Sequence, residues 1–254
     1  MAKMKMLKSI VKSIPPLQKL AGRTKDRCSE WTKGDILDGV FYTMSPDVLV
    51  AIVKAFNLQK QSAAGGRDLL DGHAYYEFGM YKGFSFWFAE QIAREYTDSN
   101  FRFLGFDSFQ GLPQPELDVE ARIFDEGDFE GSYEIVTGNL QKYKADLTRM
   151  RLYKGFYSKH LFDQLRKKEQ FPPVSICLID VDLYESCVPV LEFIKEYLVE
   201  GSILLFDDYN QTGANDNAGE RRALIEFEKR NPRFKKEHLF DYGWEGVAFR
   251  VVSL

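Results

Sequence analysis

Leu178-Ile179-Asp180-Val181-Asp182 and Leu204-Leu205-Phe206-Asp207-Asp208 are two apolar runs that each end abruptly in a pair of acids. Each run is too short for a helix and reads as a buried parallel strand. In an open α/β sheet, ligands bind outside the carboxyl ends of such strands. The two runs therefore bring four carboxylates to one rim. Crowding of that kind is costly unless a cation lies among the oxygens or one group is kept as a base. A lone Asp at a strand end is ordinarily a cap for the next helix, but two doublets on neighbouring strands are more than capping requires.

Outward from these runs, short apolar stretches alternate with helical patterns. Residues 74–78, 101–106, 150–153, 174–179 and 203–206 are strand candidates, and Val188, Leu191, Ile194 and Leu198 mark the apolar face of one intervening helix. Strict β/α alternation predicts an α/β, doubly wound, mainly parallel sheet with right-handed crossovers. Residues 235–240, a turn at Gly243 and residues 247–252 add a terminal antiparallel pair, making seven strands.

The chain of 254 residues, 44% hydrophobic, is long enough for one large α/β domain with short additions. A net charge of −4 with interspersed signs offers no general attraction to nucleic acid. Cys28, Cys177 and Cys187 have no metal-binding spacing, which suits a reduced, cytoplasmic setting. No apolar stretch is long enough to span a bilayer. Residues 1–25 carry Lys3, Lys5, Lys8, Lys12, Lys19, Arg23 and Lys25 without an acid, while Met4, Leu7, Ile10, Val11, Ile14 and Leu17 recur at helical spacing. Such an arm suits a helix folded over the domain, a contact in a homo-oligomer, or peripheral contact with an anionic membrane. Residues 33–60 read as helices, with Ser45-Pro46-Asp47 as a helix start, and 61–71 as a connection. The expected division is a basic arm and helical cap over 1–71 and a sheet domain over 72–254. Within the latter, residues 108–131 form a long insertion bearing Glu116, Asp118, Glu120, Asp125, Glu126, Asp128 and Glu130. A loop of this length at a ligand rim reads as a functional lid.

The first strand runs into Glu77-Phe78-Gly79-Met80-Tyr81-Lys82-Gly83-Phe84-Ser85. Two glycines permit a tight turn and close backbone approach, but Gly-x-Gly-x-x-Gly is missing, which argues against a nicotinamide dinucleotide. The second strand ends at Asp107, where an acid is well placed to accept from ribose hydroxyls.

Glu77-x-Gly79-x-x-x-Gly83-x-Ser85 resembles the cofactor loop of class I S-adenosylmethionine-dependent O-methyltransferases. Residues 106–113 (FDSFQGLP), 180–186 (DVDLYES) and 207–209 (DDY) together resemble the macrocin and mycinamicin type of sugar O-methyltransferase, over roughly residues 72–252. The resemblance implies a Rossmann-like methyltransferase fold. It also implies that Glu77, Gly79, Ser85 and Asp107 line the S-adenosylmethionine site, that Asp180, Asp207 and Asp208 hold Mg²⁺, and that Asp182 is the general base. Tyr81, Gly83, Ser108 and Asp180 are expected to complete the cofactor site, with Gly155 and Phe156 as an adenine-contacting turn. Val181 stands where Gly is commoner in the family, and Cys187 follows Ser186 where Thr is usual.

The expected substrate is a small-molecule acceptor with a sugar hydroxyl. His160 is an alternative base because its ordinary pKa is near neutrality. Arg221-Arg222 are candidates for an anionic acceptor, although Glu220, Glu226 and Glu228 on the same helix offer them ordinary surface partners. Two other readings compete. Asp180-x-Asp182 at a strand end is also how many glycosyltransferases hold a metal and a nucleotide sugar, and a non-catalytic cofactor-binding module is the third possibility.

Overall fold

A computed structural model describes residues 46–97 and 100–254. The basic arm, Cys28 and the helices expected over 33–45 lie outside the described residues.

In chain order the elements are α1 (Pro46–Ala64), β1 (Ala74–Phe78), α2 (Phe84–Ala93), β2 (Arg102–Asp107), α3 (Tyr133–Lys142), β3 (Met150–Lys154), α4 (Lys159–Lys168), β4 (Val174–Ile179), α5 (Tyr184–Ile194), β5 (Ile203–Phe206), α6 (Gly219–Arg230), β6 (Lys235–Tyr242) and β7 (Gly246–Ser253). The sheet order is β3-β2-β1-β4-β5-β7-β6. The first five strands are mutually parallel, and β7 runs antiparallel to both β5 and β6. The chain builds outward from β1 to β3, then returns to lay β4 on the other side of β1. That reversal opens a crevice between the ends of β1 and β4, where ligands bind in sheets of this kind.

Because side chains alternate along a strand, β1 feeds two cores. Tyr75 points into a layer with Phe56 of α1, Phe86 and Ile92 of α2, and Val136 of α3. Ala74, Tyr76 and Phe78 point into the opposite layer with Phe162 of α4, Val190 and Phe193 of α5, and Leu224 and Phe227 of α6. On that second face Phe78 stacks on Phe106 at 4.5 Å between ring centroids, and Phe162 on Phe193 at 4.3 Å. These rings make a stiff floor beneath the strand ends.

α1 begins at Pro46 with Asp47 in its first turn, as the sequence suggested. It continues four residues beyond the expected end at 60, to Ala64. Ala51, Ile52, Val53, Ala55 and Phe56 are fully buried in the first core layer. The buried side chain of Gln59 donates to the carbonyls of Ser175 at 2.7 Å and Gly201 at 3.0 Å. The apolar spacing of α1 needed partners, and α2 with the sheet face of β4, β5 and β6 supplied them. Among the described residues, no helix is long and apolar enough to cross a membrane.

Candidate active site

The ends of β1, β2, β4 and β5 surround a cleft of about 500 Å³. Its walls include Gly79, Tyr81, Ser85, Asp107, Ser108, Phe156, Asp180, Asp182, Asp207 and Asp208. Ten of the sequence-predicted site residues thus meet in one place.

Three others are placed behind the wall. Glu77 is fully buried, where its carboxylate accepts from the Tyr75 hydroxyl at 2.7 Å and the Ser85 hydroxyl at 2.5 Å. Burial pushes its pKa up to about 8, against the two hydrogen bonds that favour the charged form. Gly83 precedes α2 and faces Val136, while Gly155 faces Leu161. All three shape the cleft without lining it.

Gly79 is needed for the approach of β1 to β4. Its φ is +84°, and a Cβ there would lie 1.7 Å from the carbonyl oxygen of Asp180. The Gly79 N–H is met by the Tyr157 hydroxyl at 2.7 Å, and that hydroxyl also reaches the Phe106 carbonyl at 2.8 Å. Tyr157 escaped the sequence reading. Its only signal was an aromatic pair following Gly155.

Asp107 is tied to backbone on three sides. Its Oδ2 accepts from Met80 N at 2.6 Å and Tyr81 N at 3.2 Å, and its Oδ1 from Phe109 N at 2.6 Å. The Ser108 side chain also bonds this carboxylate, which comes close to filling its acceptor positions. The residue therefore fixes the glycine loop against the end of β2. Burial raises its pKa despite the three amides.

The two acid doublets converge. One carboxylate oxygen from each of Asp180, Asp207 and Asp208 lies within 4.8 Å of the others. Burial, reinforced by the neighbouring acids, pushes Asp180 and Asp208 well above the usual carboxylate range and Asp207 up to about 7. Asp208 Oδ2 is buried without a hydrogen-bond partner. Closely set carboxylates that repel one another, one of them with a buried oxygen that meets no donor, suit a hard divalent cation, and the residues present fit Mg²⁺ on that chemistry.

Asp182 stands beside this cluster in an unusual backbone. Its φ is +59°, and the Leu183 N–H closes a tight turn onto the Val181 carbonyl. Such a conformation costs a non-glycine residue about 1–3 kcal/mol and is retained where surroundings enforce it. Gln211, which also lines the cleft, bonds the carboxylate, and burial lifts the Asp182 pKa to about 6.

What enforces the turn lies beneath it. Glu220 was expected on the surface, as a partner for Arg221 and Arg222, but it is fully buried. Its Oε1 accepts from Val181 N and its Oε2 from Asp208 N, each at 3.2 Å. One side chain thereby clasps both aspartate loops. Arg221 instead pairs with Asp216 at 2.5 Å, and Arg222 with Glu226 at 2.9 Å. His160 is exposed, bonded to Gln164, and does not line the cleft.

A seven-stranded sheet with an antiparallel β7 and a ligand cleft at the β1/β4 reversal defines the class I methyltransferase fold. Two solved structures share it: the O-methyltransferase NovP (TM-score 0.64, 18% identity, covering 80% of this chain and 79% of that one) and the calicheamicin methyltransferase CalS11 (TM-score 0.61, 18% identity, covering 93% of each). Residues 37–250 match the model of the Macrocin-O-methyltransferase (TylF) family, and the chain belongs to that family. A curated relative is the 8-demethyl-8-(2,3-dimethoxy-alpha-L-rhamnosyl)-tetracenomycin-C 4'-O-methyltransferase of Streptomyces olivaceus. It is 26% identical over 153 residues, 58% of this chain, and the match spans 57% of that relative's length.

Proposed function

We propose that the protein is a Mg²⁺-dependent O-methyltransferase that moves a methyl group from S-adenosylmethionine to a hydroxyl of a sugar or of a glycosylated or nucleotide-linked small molecule, with Asp182 as general base. The observation that carries this reading is the meeting, in one cleft, of the glycine loop braced by Asp107 with the Asp180–Asp207–Asp208 cluster and Asp182. Family membership and the curated relative's activity on a rhamnosyl compound support the same reaction class.

In this reading Gly79, Tyr81, Ser85, Asp107, Ser108 and Phe156 hold the methyl donor, and the buried Glu77 braces Ser85 from behind. Methyl transfer is an in-line displacement, so most of what these walls contribute is alignment. Asp180, Asp207 and Asp208 would hold the cation, which supplies Lewis acidity to a weakly acidic hydroxyl. Asp182 is not needed in that ligand set and is free to take the hydroxyl proton. Val181 borders the cleft, but its side chain is buried in the second core layer. The glycosyltransferase reading loses ground because such an enzyme has no need of the glycine loop and its Asp107 brace.

The test is transfer of labelled methyl from S-adenosylmethionine to a panel of sugars, nucleotide sugars, glycosylated small molecules and catechols. Labelled product is expected from a sugar-bearing acceptor. Label only on catechols would refute the acceptor class, and failure of S-adenosylhomocysteine to bind in calorimetry would refute the reaction.

A further inference from the structure

The insertion over 108–131 is fastened to the aspartate loops by one buried carboxylate. Glu120 is fully buried, and its Oε1 accepts two backbone N–H groups, from Gly219 at 2.7 Å and Tyr184 at 3.1 Å. These are the first residues of α6 and α5. Neither helix has a side-chain cap from its own N-cap residue, Ala218 or Leu183. Glu120 therefore caps two helices at once from a distant part of the chain, at the positive ends of both.

A second tether runs in the opposite sense. Glu185, in the first turn of α5, accepts the Glu116 N–H at 2.7 Å. The Oε2 atoms of Glu120 and Glu185 are both buried and meet no other donor, and burial together with the neighbouring Glu185 carboxyl pushes the Glu120 pKa up to about 7. The segment so tied supplies Leu112, Pro113, Glu116, Asp128 and Phe129 to the cleft wall. On the other side of the tie, Tyr184 lies two residues beyond Asp182, and Gly219 is followed by Glu220, which holds the Val181 and Asp208 amides.

We propose that Glu120 is a positioning residue that holds the lid closed over the acceptor side of the cleft and, through the amides of Tyr184 and Gly219, keeps the Asp182 turn in register with it. The role in turnover rests on the methyl-transfer reading above, but the latch itself does not. A closed lid then coincides with a correctly placed base, and an open lid leaves two helix N-termini uncapped.

Exposed Arg122 lies two residues from the latch and gives trypsin a direct report of lid opening, while exposed Lys168 at the end of α4 serves as an internal control. In the full chain, Glu120→Ala should speed cleavage at Arg122 by about tenfold or more and leave Lys168 cleavage unchanged. Glu120→Gln keeps an acceptor oxygen and should stay near wild type. Glu120→Asp, one methylene short, should fall between them and decides the matter if the alanine variant does not fold. With a confirmed acceptor, Glu120→Ala should lower kcat/KM for that acceptor while leaving S-adenosylhomocysteine affinity unchanged, and Glu120→Gln should restore it. Unchanged Arg122 cleavage in both the alanine and aspartate variants would overturn the latch. So would a glutamine variant cut as fast as alanine, or equal acceleration at Lys168. If wild type transfers no methyl group to anything, the methyl-transfer reading fails, yet Arg122 cleavage still reports on the latch.

Discussion

Asp182 is held buried in a left-handed turn, where Gln211 and Asp208 bond its carboxylate while Asp128 and Glu245 repel it, and a side chain kept at such cost needs a use. If it takes the acceptor proton, Asp182→Asn should lower turnover by about 10²–10⁴-fold while preserving fold, S-adenosylhomocysteine binding and most Mg²⁺ affinity. Near-normal turnover on a confirmed acceptor would remove it from that role. Asp107 makes a different prediction because its carboxylate braces the glycine loop through Met80 N, Tyr81 N and Phe109 N. Asp107→Ala should weaken S-adenosylhomocysteine binding by about 1–3 kcal/mol in calorimetry, and unchanged affinity in a folded variant would contradict it. The aspartates were legible because doublets at strand ends have few structural uses. Glu220 was not, because Glu226 and Glu228 on its helix are surface acids. The available signal was helical spacing, which sets Glu220 on the same face as the buried Ala223, Leu224 and Phe227.

At the scale of elements, strand positions were readable because each strand is a short apolar run closed by turn residues, and β1, β4 and β5 fall on the expected residues. The end of α1 was not. Gln61, Ser62 and Gly65-Gly66 look like a linker, yet Gln61 and Ser62 still fit a solvent-facing helical turn. Gln59 is polar in sequence but buried in the structure, because two backbone carbonyls of β4 and the β5 turn needed a donor. The junction of β1 and β4 carries its own prediction. Gly79→Ala puts a Cβ into the Asp180 carbonyl and removes the residue suited to φ +84°. It should cost more than about 1 kcal/mol of stability in thermal or denaturant unfolding and weaken Mg²⁺ binding by displacing Asp180. A variant with unaltered melting and metal affinity would show that the two strand ends are not in contact.

For the molecule as a whole, the buried acid at the end of β1 sets a pH dependence of stability. The folded-state pKa of Glu77, about 8, lies above its ordinary value. The folded chain keeps that proton over a range in which the unfolded chain has lost it, so stability falls as pH rises from about 5 to about 8. Glu77→Gln removes this contribution, and the Tm of the ligand-free variant should decline less over the same range. Parallel Tm profiles for wild type and variant would contradict it. In the proposed reaction one cleft serves as methyl-donor site, cation site and base, and the metal dependence of transfer tests that union. With saturating S-adenosylmethionine and a sugar-bearing acceptor, EDTA should abolish labelled methyl transfer and excess Mg²⁺ should restore it, while S-adenosylhomocysteine binding persists throughout. Transfer undiminished in EDTA would remove the cation from the reaction.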